Sequence, residues 1–442
     1  MNNQHKRRRL LINFSIVLVL VIGTFVAIQF AKGYRPDLKN RQIQGTGLLS
    51  ATSYPKEARV ILNDKLTTVT DDKLYLEPGN YTIKIEKDGF HTWSKSFPIK
   101  SELVTSVDAR LFPLIPATSP LTFYQVQNPS VNPDGTRIAY VLQNAPVEAD
   151  NGLYVYAFSS NLLGSQTLQI ATGRDYSKAT LIWSPDSSEI LALFTETATP
   201  TKANPKPTEK IVSSQLLSTK SLNQTKNFTD VTLRLPLIVT DWQDRLASVN
   251  SATLSLYPSY MTEILSQKAT NVYFSPDKER VLYTPSTDFT LPQNEIGLNL
   301  PNINSTPDNR QLQKGQYYIF DLKEGTNYSL PGATSINDFS QTLITTKSAT
   351  PSGTVADLKL IKTQTESRYT TNLSWYGNRQ LILSNSDGIN IIDYDGLNLT
   401  NITAATIKNN FVISTPDGSK LLGLTNINQK PDTFNLISFD LK

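Results

Sequence analysis

Phe274-Ser275-Pro276-Asp277-Lys278-Glu279-Arg280-Val281-Leu282-Tyr283 is the stretch on which the fold turns, because it recurs. Close copies begin at Val131 (VNPDGTRIAY), Trp183 (WSPDSSEILA) and Ile413 (ISTPDGSKLL). In each, an apolar residue ends a strand, Pro sets φ, Asp and Gly or a small polar residue take a tight turn, and an apolar β-run returns. Degenerate copies stand at Trp242-Gln243-Asp244-Arg245-Leu246-Ala247, at Phe339-Ser340-Gln341-Thr342-Leu343-Ile344 and at Trp375-Tyr376-Gly377-Asn378-Arg379-Gln380. A second strand follows at a distance, as in Leu153–Phe158, Tyr317–Leu322, Ile391–Gly396 and Leu436–Leu441. Seven turns over roughly 320 residues leave about 45 residues each, room for a four-stranded sheet per repeat.

This repeat resembles the TolB-type β-propeller, whose hallmark is an aromatic-Ser-Pro-Asp-Gly turn. The resemblance covers residues 118–442 and implies a mainly β fold with six or seven blades. Uneven spacing predicts insertions, and Thr195 to Lys210 (TETATPTKANPKPTEK), rich in Pro, Thr and Lys, is expected to be a mobile loop.

Residues 47–112 form a separate β unit. Ala58–Leu62 alternates before a turn at Asn63-Asp64, and Leu74-Tyr75-Leu76 runs into the turn Glu77-Pro78-Gly79-Asn80. Tyr81-Thr82-Ile83-Lys84-Ile85 has period two, with Tyr81, Ile83 and Ile85 on one face, and Trp93, Phe97 and Ile99 supply another apolar face. The run Leu76-Glu77-Pro78-Gly79-Asn80-Tyr81 followed by Asp88-Gly89-Phe90 resembles the PEGA domain, a small β-sandwich-like module of prokaryotic surface proteins. Two departures stand out: Pro55-Lys56-Glu57-Ala58 replaces the namesake tetrapeptide, and Lys65 stands where the family usually has Gly. The family brings no catalytic residues. Between the two units, Pro113-Leu114-Ile115-Pro116-Ala117-Thr118-Ser119-Pro120 reads as a semi-rigid linker over 113–120, with the propeller spanning 121–442.

Leu10 to Phe30 carries no charge and would span about 31 Å as a helix, close to the roughly 30 Å of a bilayer's hydrocarbon core. We read residues 1–9 as a cytoplasmic basic tail, 10–31 as a transmembrane helix and 32–46 as a polar tether. Lys6, Arg7, Arg8 and Arg9 set the topology, with the N-terminus cytoplasmic and the body extracytoplasmic at the plasma membrane. A cleavable signal peptide is the alternative, since Ala31-Lys32-Gly33 loosely fits a cleavage site, but the apolar run exceeds the usual h-region. Those four residues account for the whole net charge of +4, so the remainder is balanced. A basic stripe for nucleic acid is missing from the folded part.

The 442 residues contain no Cys and two His, His5 and His91. Disulfides, thiolate metal sites and His-pair zinc sites are excluded. There is no G-x-S-x-G elbow, Walker A loop or G-x-G-x-x-G, and His91 is expected to be an exposed strand-end residue. We expect no catalytic residues and no cofactor. One weak calcium candidate is Asp393, Asp395 and Asn398, with oxygens at alternating positions but no later bidentate Glu; turn capping explains it more simply. The N-x-[ST] sequons at Asn80, Asn227, Asn304, Asn327, Asn372, Asn398 and Asn401 fit chance in a chain this rich in Asn, Ser and Thr. Trp183, Trp242 and Trp375 head blade turns, where packing between blades is expected. The partners expected are the lipid bilayer through residues 10–31, and an envelope protein or a cell-surface glycan. The resulting reading is a membrane-anchored binding or scaffold protein, with a glycan binder and a propeller-face hydrolase or lyase as alternatives.

Overall fold

The computed structural model describes residues 3–31, 34–37, 42–158, 166–198, 208–223, 230–292, 304, 306–334, 343–346, 353–366, 372–385, 388–426 and 433–442. These fall into two compact units, divided at Leu111/Phe112, with Asn304 grouped in the first.

In the first unit, α1 (Asn3–Ala31) is the one helix among the described residues long and apolar enough to cross a membrane. Its core, Leu11–Ile28, is nowhere buried against the protein. The stretch read as a tether is instead partly folded: β1 (Tyr34–Asp37) pairs antiparallel with β2 (Gln42–Gly45). A β-sandwich follows, of β3 (Gly47–Tyr54), β4 (Arg59–Leu62), β5 (Lys65–Val69), β6 (Asp72–Leu76), β7 (Gly79–Glu86), β8 (Trp93–Ile99) and β9 (Val104–Arg110). One sheet has the order β6-β3-β9, with β3 and β9 parallel, and the other β5-β4-β7-β8. The period-two strands do what their spacing dictates: Leu49, Ala51, Val60, Ile83, Ile85, Trp93, Phe97, Ile99 and Val107 fill the space between the sheets. Asn63 and Asp64 both adopt positive φ (47° and 63°), so the β4–β5 turn is of the primed kind that matches strand twist.

In the second unit, β10 (Thr118–Pro120) precedes a first sheet of β11 (Val126–Val131), β12 (Arg137–Leu142), β13 (Gly152–Ala157) and β14 (Gln166–Ala171). A second sheet holds β15 (Thr180–Trp183), β16 (Glu189–Ala198) and β17 (Thr208–Ser218), and then come α2 (Leu235–Leu254) and α3 (Ser259–Glu263). The third sheet contains β18 (Ala269–Phe274) and β19 (Arg280–Pro285), a small inserted pair β20 (Phe289–Thr290) and β21 (Gln311–Leu312), then β22 (Gln316–Asp321) and β23 (Thr326–Thr334). After α4 (Val355–Glu366), a fourth sheet has β24 (Leu373–Tyr376), β25 (Gln380–Asn385), β26 (Gly388–Asp393) and β27 (Thr400–Thr403). The fifth holds β28 (Ile407–Ser414), β29 (Lys420–Thr425) and β30 (Asn435–Asp440), and β10 completes it by pairing with β30.

Core contacts join these sheets in a ring. First and second sheets share a core around Trp183 and Tyr176, third and fourth around Trp375 and Tyr328, fourth and fifth around Tyr376 and Phe439, and fifth and first around Phe411 and Tyr140. Between second and third, the sector is helical: α2 and α4 pack on Ile182, Leu191 and Leu193 of the second sheet, while the α2 end and α3 pack on the third. Antiparallel meanders closed by an N-terminal strand on the last sheet make a β-propeller, here with five described blades and a helical wedge.

Several expectations are thereby corrected. Trp242-Gln243-Asp244-Arg245 is no blade turn but lies inside α2, because Leu235, Ile238, Val239, Trp242 and Leu246 recur at helical spacing and no Pro or Gly breaks the run after Pro236. Phe339 to Thr342 lies outside the described residues. Within Thr195 to Lys210 the ends are strand, with Thr195 paired to Ile211 and Ala198 to Thr208; 199–207 lie outside the described residues. The stretch 113–120 is not a free spacer. Phe112 packs edge-on against Tyr376 at 5.4 Å, and Thr118–Pro120 is a blade strand.

Candidate functional site

The four Pro-Asp turns share one geometry. The residue before Pro donates its N–H to the carbonyl five residues on: Asn132 to Arg137 at 3.1 Å, Ser184 to Glu189 at 3.0 Å, Ser275 to Arg280 at 2.8 Å, Thr415 to Lys420 at 2.9 Å. Its side-chain oxygen accepts the N–H of that same residue, as Ser275 Oγ does from Arg280 at 2.9 Å. The turn Asp then accepts the N–H two residues on, in Asp134, Asp186, Asp277 and Asp417 alike. The residue after Asp is left-handed: Gly135 (φ 72°), Ser187 (61°), Lys278 (60°) and Gly418 (64°). Gly suits this region and Ser and Lys tolerate it at a cost.

Neighbouring turns are tied together. Asn132 Nδ2 donates to Ser187 Oγ at 3.0 Å, and Asn378 Oδ1 accepts from the Asp277 N–H at 3.2 Å. The wedge is tied in through Arg245, which pairs with Asp186 and Asp241, each at 3.0 Å. Lys362 of α4 donates to the Leu181 carbonyl at 2.9 Å. Burial pushes the Asp186 carboxyl up, but hydrogen bonds from Ser188 and Ser184 and the nearby Arg245 outweigh it and hold it at about 2. The same contest, with Thr415 and Ser419 as donors, holds Asp417 at about 2.

Where this turn face meets the wedge, a cavity of about 230 Å³ opens. Its walls are the rings of Pro133, Pro185 and Pro276 with Leu246 and Val249 of α2. Asn271 lines it from β18, at a bulge where the chain turns left-handed (φ 51°). This side chain is 7% exposed and carries no hydrogen bond among the described residues. Its counterpart in the first blade, Asn128 (φ 49°), instead donates to the carbonyls of Tyr176 and Ala179 in the next blade. Lys278 brings an exposed ammonium to the cavity, without an ion pair among the described residues. The space falls short of the roughly 300–1,000 Å³ of small-molecule sites and suits one or two side chains.

A second polar cluster is structural. Arg280 (5% exposed) lies 2.7 Å from the fully buried carboxylate of Asp321 and 4.3 Å above the Tyr394 ring. The Nε–H is not aimed at that oxygen, so charge rather than an aligned hydrogen bond holds the pair. Burial acts to lower the Arg280 pKa, the Asp321 charge to raise it, and the net direction is upward. Tyr394 donates to Glu324 at 3.1 Å, and Tyr328 donates to the other oxygen of the same carboxylate. Burial, then the Glu324 charge, pushes both phenols above their usual range, so they stay protonated donors.

The calcium candidates lie at the end of β26 and in the turn after it. Asp393 accepts from Gln380 at 3.1 Å and from Asn398 Nδ2 at 2.8 Å, and Asp395 accepts the Leu397 N–H at 3.3 Å. Asn398 therefore turns its NH2 toward the carboxylate, the arrangement of a capped turn. The described residues contain no group of three His, Cys, Asp or Glu placed to hold a metal ion. His91 is half-buried rather than exposed, with Nε2 enclosed. Arg8 is exposed on α1; Lys6, Arg7 and Arg9 lie on its first turns. All four Trp are buried, and the sequon Asn327 is fully enclosed, accepting from Tyr283 at 2.9 Å. Sequence reasoning missed the α2 wall and Asn271. The helical period of α2 was there to be read, whereas the Asn271 bulge has no local sign.

Residues 46–114 match the PEGA domain family. No curated protein matches the chain. Among solved structures the chain is similar to TolB from Acinetobacter baumannii, at 12% identity and TM-score 0.21, over 82% of this chain and 60% of that one. It is also similar to a putative TolB from Agrobacterium tumefaciens (12%, TM-score 0.20, 70% of this chain and 73% of that). A third is the acylaminoacyl peptidase of Pyrococcus horikoshii (11%, TM-score 0.18, 70% of this chain and 37% of that). At such values the propeller assignment rests on sheet order and shared cores, not on overlay. The protein thus carries a PEGA domain and a propeller unit behind an apolar N-terminal helix.

Proposed function

We propose that this is a membrane-anchored, non-catalytic binding protein of the cell envelope, held by α1 with its body extracytoplasmic. Its propeller unit takes a polypeptide segment at the cavity between the Pro-Asp turns and α2. The observation that carries this reading is Asn271: a carboxamide, both donor and acceptor, on a residue only 7% exposed, lining a cavity walled mainly by apolar side chains with a cation nearby. A bound peptide group satisfies both functions of that amide. The apolar walls then take an adjacent side chain, and Lys278 an acidic group beside it.

The test is a photo-crosslinking amino acid at Val249 in the full chain in its native membrane, with Leu237, exposed elsewhere on α2, as control. A discrete polypeptide adduct from 249, absent at 237 and weakened by Lys278→Glu and Asn271→Leu, is the expected result. Adducts with polysaccharide alone would overturn the proposal in favour of a glycan binder.

A further inference from the structure

The outer face of the β6-β3-β9 sheet changes character along its length. Register places Leu48 between Tyr75 and Val104 in one row. The next row is Lys73, Ser50 and Ser106, and beyond it Thr52 donates to Asp108 at 3.1 Å. Apolar side chains therefore gather in the first row, where Tyr75 is 51% and Val104 58% exposed, with Leu103 beside them at 37%.

That row lies at the end of the sheet where the chain arrives from α1. If residues 32–46 were extended, β3 could start about 50 Å from the helix end. The β1–β2 hairpin forbids this, because Tyr34 is paired with Gly45. Three residues from Ala31 to Tyr34, one strand spacing and two residues to Gly47 keep the distance within about 22 Å. The hairpin is also fastened to the sheet: Glu102 N–H donates to the Thr46 carbonyl at 3.1 Å and Ser101 Oγ to Gly45 at 3.4 Å. A hydrogen bond with the Glu102 carboxylate, then its charge, raises the Tyr34 phenol.

We infer that the Tyr75–Leu48–Val104 row rests on the headgroup region of the bilayer that α1 crosses, so the PEGA domain stands on the membrane surface rather than on a stalk. The inference rests on the anchor reading proposed above. Tyr beside aliphatic side chains is the composition that settles at membrane interfaces. Three side chains fall far short of the roughly 1,000 Å² of a specific protein interface. They suffice against a surface to which the chain is already tethered, because effective concentration replaces affinity.

The absence of Cys makes the test direct, since one introduced Cys carries one nitroxide. The full chain, one copy per lipid nanodisc, is labelled in turn at Val104→Cys, Tyr75→Cys, Leu66→Cys and Val21→Cys. Leu66 is 68% exposed on the other sheet and Val21 lies in α1. Labels at 104 and 75 should be several-fold more accessible to oxygen, and less to a water-soluble nickel chelate, than the label at 66. Adding Val104→Glu to Tyr75→Cys should return label 75 to water. Label 104 matching label 66, or shielded from both reagents, overturns the inference while label 21 still reports lipid. A label at 21 that reports water removes the anchor reading, and this inference with it.

Discussion

Replacing Asp321 by Asn keeps the shape of a fully buried side chain and removes only its charge, stranding the Arg280 guanidinium. Asp277, whose Oδ2 is 3.9 Å from Nη1, and Glu324 also act on that group, and the Tyr394 ring offers a weaker cation–π contact. Breaking a buried pair on one side costs about 3–5 kcal/mol, and we expect the low end, about 3, because the native pair lacks an aligned hydrogen bond. At about 2–4 °C per kcal/mol for a domain of this order, the propeller transition in a thermal scan should fall by roughly 6–12 °C. The double variant Arg280→Met/Asp321→Leu removes both charges and should recover to within about 2 kcal/mol of the parent. Circular dichroism in detergent, followed by urea titration, measures all three proteins. A loss below about 1 kcal/mol in Asp321→Asn, or a double variant as unstable as the single, would refute the claim that a stranded charge sets the cost.

Trp242→Ala on α2 should destabilise the same unit by about 3–5 kcal/mol, with Trp242→Phe much milder, since the ring fills the core between the wedge and the second blade; urea midpoints decide. Acid unfolding should steepen as pH falls from the unfolded carboxylate value, 3.8, toward about 2, where Asp186 and Asp417 titrate in the folded protein. A lowered folded pKa contributes stability that is full above the unfolded value and lost on acidification, so Asp186→Asn and Asp417→Asn should flatten that limb and leave neutral pH less stable. Gly418→Ala should cost about 1–2 kcal/mol at its left-handed φ, while Ser187→Gly relieves that strain but loses the Asn132 hydrogen bond and should stay within about 1 kcal/mol of the parent, by thermal scan. Asp64→Gly in the β4–β5 turn should not destabilise, for the same reason, even with its exposed Lys84 pair lost.

The parts legible in the sequence are those whose determinants lie within a few residues. The blade hairpins were legible because Pro, Asp and a cap residue specify a turn locally, and the PEGA strands because period two places Ile83 and Ile85 inside. Trp242 misled for the complementary reason: aromatic plus Asp mimics a turn, yet the surrounding helical period prevails once no Pro or Gly interrupts it. The residues of the calcium candidate were legible, but their amide orientations were not, since these depend on Gln380 across the hairpin.

By itself, then, the sequence determined an N-terminal helix with an uncharged apolar stretch, a small sandwich and a series of Pro-Asp hairpins, all products of short-range periodicity and turn chemistry. Tertiary structure alone decided that a helical pair stands between the second and third blades, that Thr118–Pro120 closes the ring on β30, and that Asn271 lines a cavity beside α2. Those outcomes depend on segments up to some three hundred residues apart competing for the same apolar surface, a competition that local pattern does not record.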